Sequence, residues 1–268
     1  MPDTPDLSNE DLAVELSDDG LVCRATIDRP DQRNALNENV LDGLGAVLDH
    51  ADDSDVRVVV VRGADGNFCA GADLKSMASA LGQGAQAYRE GFSGLADLME
   101  QATETGALVV AAVEGYCLAG GMGLAASCDL VLAAESATFG TPEVDIGLFP
   151  AQALVPIMRT VNEKQGLRLL FTGEHISAEK AYEIGFTTDV VAEDAFEEEL
   201  DTLVDDLASS SPVMIEMGKE AFYTQRDMGF DEALSYMREI IALVAMSEDT
   251  EEGINAFLTG EDPEWKGR

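Results

Sequence analysis

Residues 115–123 read GYCLAGGMG, and this glycine-dense stretch decides how the rest of the chain is interpreted. It follows the apolar run LVVAAV at 108–113, which predicts a strand buried on both faces, and it leads into a helix predicted to run through Ala126. The first backbone N–H groups of a helix have no partner within the helix, and glycine lets a ligand approach them closely. The stretch therefore predicts an anion-binding turn between a strand and a helix.

A second loop of small residues has the same design. Residues 67–74 read NFCAGADL and follow the β-branched run VRVVVVR at 56–62, which predicts another buried strand. Two N–H groups from two such loops that converge on one oxygen form an oxyanion hole. Each loop taken alone is more simply a tight turn between a strand and a helix. Only the order and spacing of several motifs in one chain favour a site.

Two further motifs complete the pattern. Residues 27–37 read IDRPDQRNALN, and residues 137–143 read ATFGTPE. In this order and spacing, the four segments resemble the crotonase superfamily, which includes the enoyl-CoA hydratases and isomerases. The resemblance extends through three later motifs, which are LFTG at 170–173, ISA at 176–178 and EGINAFL at 252–258.

Buried strands alternate with helices over the first two thirds of the chain, and this alternation predicts an α/β fold. From residue 163 onward the pattern is predominantly that of helices. The resemblance implies a crotonase-like spiral of ββα units with a C-terminal helical region that builds trimers, often paired into hexamers. We expect a flexible N-terminus at 1–10, a core with the CoA and active sites at 11–195, and a C-terminal helical region at 196–268. Two or three amphipathic helices are expected after Ser211.

The resemblance also implies a substrate and its binding residues. The substrate is an acyl-CoA thioester, and no cofactor is expected beyond coenzyme A, which is the carrier part of the substrate. The backbone N–H groups of Ala72 and Gly120 are expected to bind the thioester oxygen as it becomes enolate-like. Ala70 is expected beside the adenine end of CoA. Arg33 is expected near the same entrance, where the CoA phosphates need a cation.

The carboxylates decide the reaction. Hydratases of this family use two glutamates that flank a water, and this chain has Glu143 at one of those positions but Gly123 at the other. One carboxylate is enough to carry a proton from one carbon to another, so the residues favour isomerisation of a 3-enoyl to a 2-enoyl thioester over hydration. A hydratase with weakened water activation, a decarboxylase, a thioester hydrolase and a non-catalytic CoA-binding member remain alternatives.

Three other acids are weaker candidates for the missing carboxylate. Asp145 would point the same way as Glu143 if the chain were extended there. Glu114 precedes the glycine-dense turn, and Asp129 is expected to cap a helix end or to bind backbone groups.

The acyl pocket is the least predictable part of the site. After Pro150 the family commonly continues with glycines, whereas residues 151–154 here read AQAL, so the acyl specificity is open. Four large apolar residues are candidates for the pocket or for the ordinary core, and the core is the preferred assignment for most of them; they are Met77, Met99, Met122 and Phe149.

The net charge excludes some partners and suggests an environment. Sixteen Lys and Arg against 52 Asp and Glu give −36, which disfavours nucleic acids and anionic membranes. The acids are spread over the chain and lysine is scarce, which favours adaptation to a salt-rich cytoplasm. The N-terminus lacks the apolar segment of a secretory signal, and no apolar run is long enough to cross a bilayer.

The cysteines and histidines do not suggest a metal site. The four cysteines form no CxxC pair and are expected to be reduced and buried. With only His50 and His175 in the chain, a zinc site lacks its usual ligand pairs, and a Ser-His-Asp triad lacks a GxSxG motif.

Overall fold

The computed structural model describes residues 7–74, 78 and 82–268. Its strands are β1 (Leu12–Leu16), β2 (Val22–Ile27), β3 (Val58–Gly63), β4 (Leu108–Val113), β5 (Tyr116–Leu118), β6 (Leu130–Ala134), β7 (Thr138–Gly140), β8 (Ile176–Ser177) and β9 (Asp189–Val191). Its helices are α1 (Glu38–Asp52), α2 (Ala85–Glu104), α3 (Gly120–Ser127), α4 (Ala151–Thr160), α5 (Glu163–Thr172), α6 (Ala178–Glu183), α7 (Phe196–Ala208), α8 (Pro212–Gln225), α9 (Phe230–Val244) and α10 (Glu248–Thr259). Two short 3₁₀ helices span Pro30–Gln32 and Pro142–Ile146.

The larger sheet has the order β1-β2-β3-β4-β6-β9. Its first two strands form the antiparallel hairpin that the sequence predicts, and the other neighbours pair in parallel. The two apolar runs used for prediction lie side by side, with Val58 opposite Leu108. Helices cover both faces of these strands, which is why their sequence is apolar without alternation.

A smaller sheet of β5, β7 and β8 carries two of the predicted motifs. Strand β5 pairs in parallel with β7, so the turn at 115–123 lies beside the segment at 137–143. Most of the region after 163 is helical, as the pattern predicts, and it also contains the short strands β8 and β9. Strands of two and three residues are too short to show a period of two, so the sequence does not reveal them.

The core consists of two layers of apolar residues, one on each face of the larger sheet. One layer lies between the sheet and helices α1, α2 and α3, and the other is closed by Phe196, Leu200 and Val204 of α7. All four cysteines are buried and unpaired, as predicted. Burial raises the pKa of Cys23 to about 11 and that of Cys69 to about 12, so these thiols are inert at neutral pH.

The structure describes the C-terminal end of the chain and part of its N-terminal end. Residues 1–6 of the predicted flexible N-terminus lie outside the described residues, whereas Asn9 forms a bridge with Leu12. The region after Ser211 forms the three helices α8, α9 and α10. The division into a core and a helical region at 195 stays a prediction. None of the helices described is long and apolar enough to cross a membrane.

Candidate active site

The loop after β3 is held against the start of α1 by backbone hydrogen bonds. Leu36 donates to the carbonyl of Gly71 (2.8 Å) and accepts from the N–H of Asp73 (2.9 Å). In such a parallel bridge the residue between the two partners, Ala72, directs its own N–H away from Leu36. Among the described residues, no acceptor takes a hydrogen bond from the N–H of Ala72. This N–H is therefore available to a ligand.

The second donor is presented by the first turn of α3. Ala119, the residue before this helix, has φ 53° and ψ −127°, a conformation that side chains rarely adopt. Its N–H donates to the carbonyl of Gly140 (2.8 Å), whereas the N–H of Gly120 has no acceptor among the described residues. A Cβ built on Gly120 would lie 3.7 Å from the N of Ala72, so the two free donors are neighbours.

Glycine is required where the two loops meet. Gly71 has φ 100°, and a Cβ there would lie 2.6 Å from the Cβ of Ala119 and 3.3 Å from the N of Gly120. Any side chain at Gly71 would therefore push α3 away and separate the two N–H groups. This packing supports an oxyanion hole better than two independent turns.

A cavity of about 560 Å³ opens in front of these donors. Four of the five predicted site residues line it, namely Ala70, Ala72, Gly120 and Glu143. The rest of its described wall is mostly apolar and consists of Leu74, Phe92, Leu95, Ala119, Pro142, Asp145, Ile146, Leu148, Phe149, Pro150, Ala151, Gln152 and Ala153. The cavity therefore combines two free donors, the carboxyl groups of Glu143 and Asp145, and a mostly apolar wall.

Glu143 lies on the 3₁₀ helix that follows β7. The residue before that helix, Thr141, is buried and donates its hydroxyl to the carbonyl of Leu169 (2.9 Å), which fixes the turn against α5. The Oε2 atom of Glu143 is buried without a hydrogen-bond partner among the described residues. Burial raises the pKa of Glu143 above its ordinary value of 4.5.

The position of the missing glutamate is filled by the protein itself. A Cβ on Gly123 would lie 2.5 Å from the Cε of Met99, 2.8 Å from the Cβ of Ala153 and 2.9 Å from its Cα. The family's glycines after Pro150 are replaced here by AQAL at 151–154, and its second glutamate is replaced by Gly123. These two differences are linked, because α4 packs directly on α3 at this point. A side chain at position 123 would therefore require the backbone of Ala153 to shift.

The three candidate replacements differ in position. Asp145 lines the cavity, but its segment is a 3₁₀ helix, so the extended chain that would align it with Glu143 is absent. Glu114 pairs with Arg62 (3.2 Å) outside the cavity wall. Asp129 is also outside that wall and accepts from the N–H of Val109 (2.7 Å), in agreement with its expected backbone role.

Arg33 lies at the rim rather than in the wall. Its carbonyl accepts from the N–H of Ala70 (3.0 Å), and its guanidinium lies 5.3 Å from the centre of the Tyr116 ring. The side chain is exposed and, in the part of the chain that the structure describes, forms no ion pair. It is therefore available to a phosphate near Ala70.

Two residues that hold the motif at 27–37 in place were not predicted from the sequence. Arg29 pairs with Asp11 (3.2 Å) and Asp73 (2.9 Å). Asn34 is fully buried at φ 58° and donates to the carbonyls of Ala64 (2.8 Å) and Asn67 (2.6 Å). The sequence offers one signal for the role of Asn34. Asparagine tolerates a positive φ better than most residues, and Asn34 lies in a loop between a strand and a helix.

The four large apolar residues proposed for the acyl pocket or the core do not all have the same place in the structure. Met99 and Met122 are buried in the core, as preferred, and Phe149 lines the cavity. Met77 lies outside the described residues.

Comparisons with known proteins agree with this geometry. The family model described as enoyl-CoA hydratase/isomerase matches residues 18–268. The mitochondrial enoyl-CoA hydratase domain-containing protein 3 of Danio rerio is 32% identical over 97% of this chain and 90% of its own length. The 2,3-dehydroadipyl-CoA hydratase of Escherichia coli is 33% identical over 91% of this chain and 94% of its own.

Solved structures support the predicted fold. The crystal structure of an enoyl-CoA hydratase from Mycobacterium smegmatis superposes with a TM-score of 0.91 at 32% identity, covering 96% of this chain and 99% of the other. The crystal structure of human enoyl-CoA hydratase domain-containing protein 3 superposes with a TM-score of 0.90 at 30% identity, and the match covers 96% of this chain and 100% of the other. The expected crotonase-like α/β fold is thereby confirmed.

Proposed function

Because the chain belongs to the enoyl-CoA hydratase/isomerase family and is an acyl-CoA enzyme of that type, we propose that it moves the double bond of a 3-enoyl-CoA to the 2-position. This choice rests on one observation: within the described part of the chain, the cavity has a carboxyl group without a hydrogen-bond partner at Glu143, and the position where hydratases of the family have their second glutamate is occupied by packing. Glu143 faces the cavity without a hydrogen-bond partner among the described residues, whereas Met99 and Ala153 occupy the space at Gly123.

In the proposed mechanism, the N–H groups of Ala72 and Gly120 bind the thioester oxygen. The carboxylate of Glu143 takes a proton from C2, and the electron pair of that C–H bond moves into a dienolate whose negative charge the two donors stabilise. Glu143 then returns the proton to C4, which shifts the double bond into conjugation with the thioester. The reaction needs neither a water nor a second acid, because the proton removed from C2 is the one delivered to C4.

Hydration is the second candidate, and one observation favours it. Asp145 lines the same cavity as Glu143, so the cavity holds a second carboxyl group that could act on a water. Water addition to a 2-enoyl thioester needs a base for the water and an acid for C2. Asp145 is exposed, whereas the Oε2 atom of Glu143 is buried, so the two carboxyl groups are not equivalent.

Two rates distinguish these functions in the purified protein in multimolar KCl. Isomerisation of a 3-enoyl-CoA increases the absorbance of the conjugated thioester, and hydration of crotonyl-CoA decreases it. We expect fast isomerisation, slow hydration, and a loss of at least about 10²-fold in isomerisation for Glu143→Gln. The exposed Asp194→Asn serves as control. Fast hydration that depends on Asp145 would overturn the isomerase assignment.

Two further assays cover the other family reactions. Release of free CoA, followed with a thiol reagent, would indicate thioester hydrolysis, and release of CO₂ from a malonyl-type thioester would indicate decarboxylation. Binding of an acyl-CoA without any turnover would indicate a non-catalytic member. A homotrimer or homohexamer, a cytoplasmic location and the lack of nucleic-acid or membrane partners stay predictions.

A further inference from the structure

The acyl chain of a thioester bound at the oxyanion donors must extend into the cavity that these donors line. This inference rests on the proposed function in one respect, since it takes the cavity as the acyl site. With the thioester oxygen at Ala72 and Gly120, the rest of the described wall is mostly apolar and includes the side chains of Phe92, Leu95 and Leu148. A hydrocarbon chain loses contact with water against such a wall, which favours its binding.

The charged groups of the described wall are all acidic. Glu143 and Asp145 line the cavity, and no Lys, Arg or His does so among the residues that the structure describes. The one amide side chain of the described wall, Gln152, donates its Nε2 to the carbonyl of Phe92 (2.8 Å). A second carboxylate on the substrate would therefore enter a partly enclosed space whose described wall holds like charges and no cation, an arrangement that is unfavourable.

We infer that the enzyme selects acyl-CoA thioesters whose acyl group ends in a hydrocarbon, and that it rejects acyl groups with a terminal carboxylate. Asp145 is the specificity-determining residue of this selection. It repels a terminal carboxylate at the wall segment that it shares with Ile146, Leu148 and Phe149.

Binding of saturated thioesters tests this inference without any turnover. Hexanoyl-CoA, adipoyl-CoA and the methyl ester of adipoyl-CoA have similar lengths, and only adipoyl-CoA has a terminal charge. In calorimetric titrations we expect a Kd at least about 100-fold lower for hexanoyl-CoA than for adipoyl-CoA. The methyl ester should bind close to hexanoyl-CoA, which shows that charge and not size is rejected. A failed isomerase assay leaves this measurement intact.

Variants locate the cause. Asp145→Asn should reduce the ratio of the two Kd values about tenfold, and Asp145→Lys should lower the Kd for adipoyl-CoA further. Asp194→Asn, an exposed acid outside the described wall, should leave the ratio unchanged. Lys75 follows Leu74 of the wall in sequence but lies outside the described residues, so Lys75→Gln is measured as well.

Three outcomes would overturn the inference. One is an adipoyl-CoA Kd within about threefold of the hexanoyl-CoA Kd. Another is tight adipoyl-CoA binding that Lys75→Gln abolishes, because that residue would then supply the missing cation. The third is the absence of binding for all three thioesters, which would show that the cavity does not take an acyl-CoA.

Discussion

Gly123 of α3 faces Ala153 of α4 so closely that a methyl group on Gly123 would lie 2.8 Å from the Cβ of Ala153. Gly123→Glu should therefore fail to restore hydration, and overpacking should cost about 3 kcal/mol of stability. For a domain of this size the melting temperature should fall by roughly 6–12 °C. Thermal unfolding and the crotonyl-CoA assay measure the two effects.

The chain offers a matched control for this substitution. Gly218 lies within α8, and a Cβ there would meet nothing within 4 Å, so Gly218→Glu should be neutral or stabilising. Ala153→Gly should recover only part of the loss at Gly123, because the contact with the Cα of residue 153 remains. A fully stable Gly123→Glu protein with hydratase activity would contradict this account of the site.

The raised pKa of Glu143 predicts a pH-dependent stability with a definite sign. Below pH 4.5 the carboxyl group is protonated in the folded and unfolded chains alike, and its contribution to stability is fully present. As the pH rises through the folded-state pKa, folding must bury a charge and that contribution is lost. The melting temperature of Glu143→Gln minus that of the wild type should therefore increase between pH 4.5 and neutrality.

Glu197 supplies a control of opposite sign. Its hydrogen bond with Arg62 lowers the pKa of Glu197, so its contribution is present above the unfolded-state pKa and lost as the pH falls. The melting temperature of Glu197→Gln minus that of the wild type should become more negative as the pH rises from 4 to 7. A flat difference for Glu143→Gln would show that its carboxyl group is solvated.

A buried ion pair attaches α8 to the sheet. The Nζ of Lys219 lies 2.8 Å from Asp129 and also donates to the carbonyls of Ala102 (2.9 Å) and Ala107 (2.7 Å). Burial lowers the pKa of Lys219, and the adjacent carboxylate of Asp129 opposes that shift. Asp129→Asn leaves the ammonium group without its counter-charge and should cost about 3–5 kcal/mol.

Denaturant unfolding at fixed protein concentration measures this cost. Lys219→Met in the Asp129→Asn background should restore part of the stability, because the buried charge is then removed. Additive losses in the two single variants and the double variant would show that the two side chains act independently.

The sequence predicted the backbone part of the site better than its walls. The two loops were predictable because a strand followed by small residues and a helix leaves free N–H groups at the start of the helix. That Ala72 and Gly120 are the two donors is what the resemblance to the crotonase superfamily implies. The packing of Met99 against Gly123 depends on how α2 lies on α3, and local sequence does not determine that contact. The role of Arg29 likewise depends on carboxylates from two distant segments, Asp11 and Asp73.

The C-terminal helices expose an apolar surface that predicts self-association. Phe230 is 79% exposed, Ile241 63% and Phe257 87%, although the chain carries a net charge of −36. We expect sedimentation in multimolar KCl to give a trimer or a hexamer, and Ile241→Glu or Phe257→Glu to reduce the mass. The exposed Glu239→Gln on α9 is the control. A monomeric wild-type protein would contradict this prediction.

Substitution of Arg33 tests how the coenzyme A part of the substrate binds. Its guanidinium is exposed beside the Tyr116 ring, and its backbone is fixed by the N–H of Ala70. Arg33→Gln should raise KM for CoA thioesters about tenfold with little change in kcat, because a charge-assisted phosphate contact that is equal in ground and transition states is lost. N-acetylcysteamine thioesters, which lack the phosphates, should show no change.

The control for this loss of charge is Lys164→Gln, since Lys164 is an exposed cation on α5 and is not part of the described cavity wall. Its KM for CoA thioesters should equal that of the wild type. If Arg33→Gln raised KM equally for both kinds of thioester, Arg33 would act through the loop around Ala70 and not through a phosphate. If it lowered kcat alone, the effect would lie at the oxyanion donors, because the loop that carries Ala70 continues into Ala72.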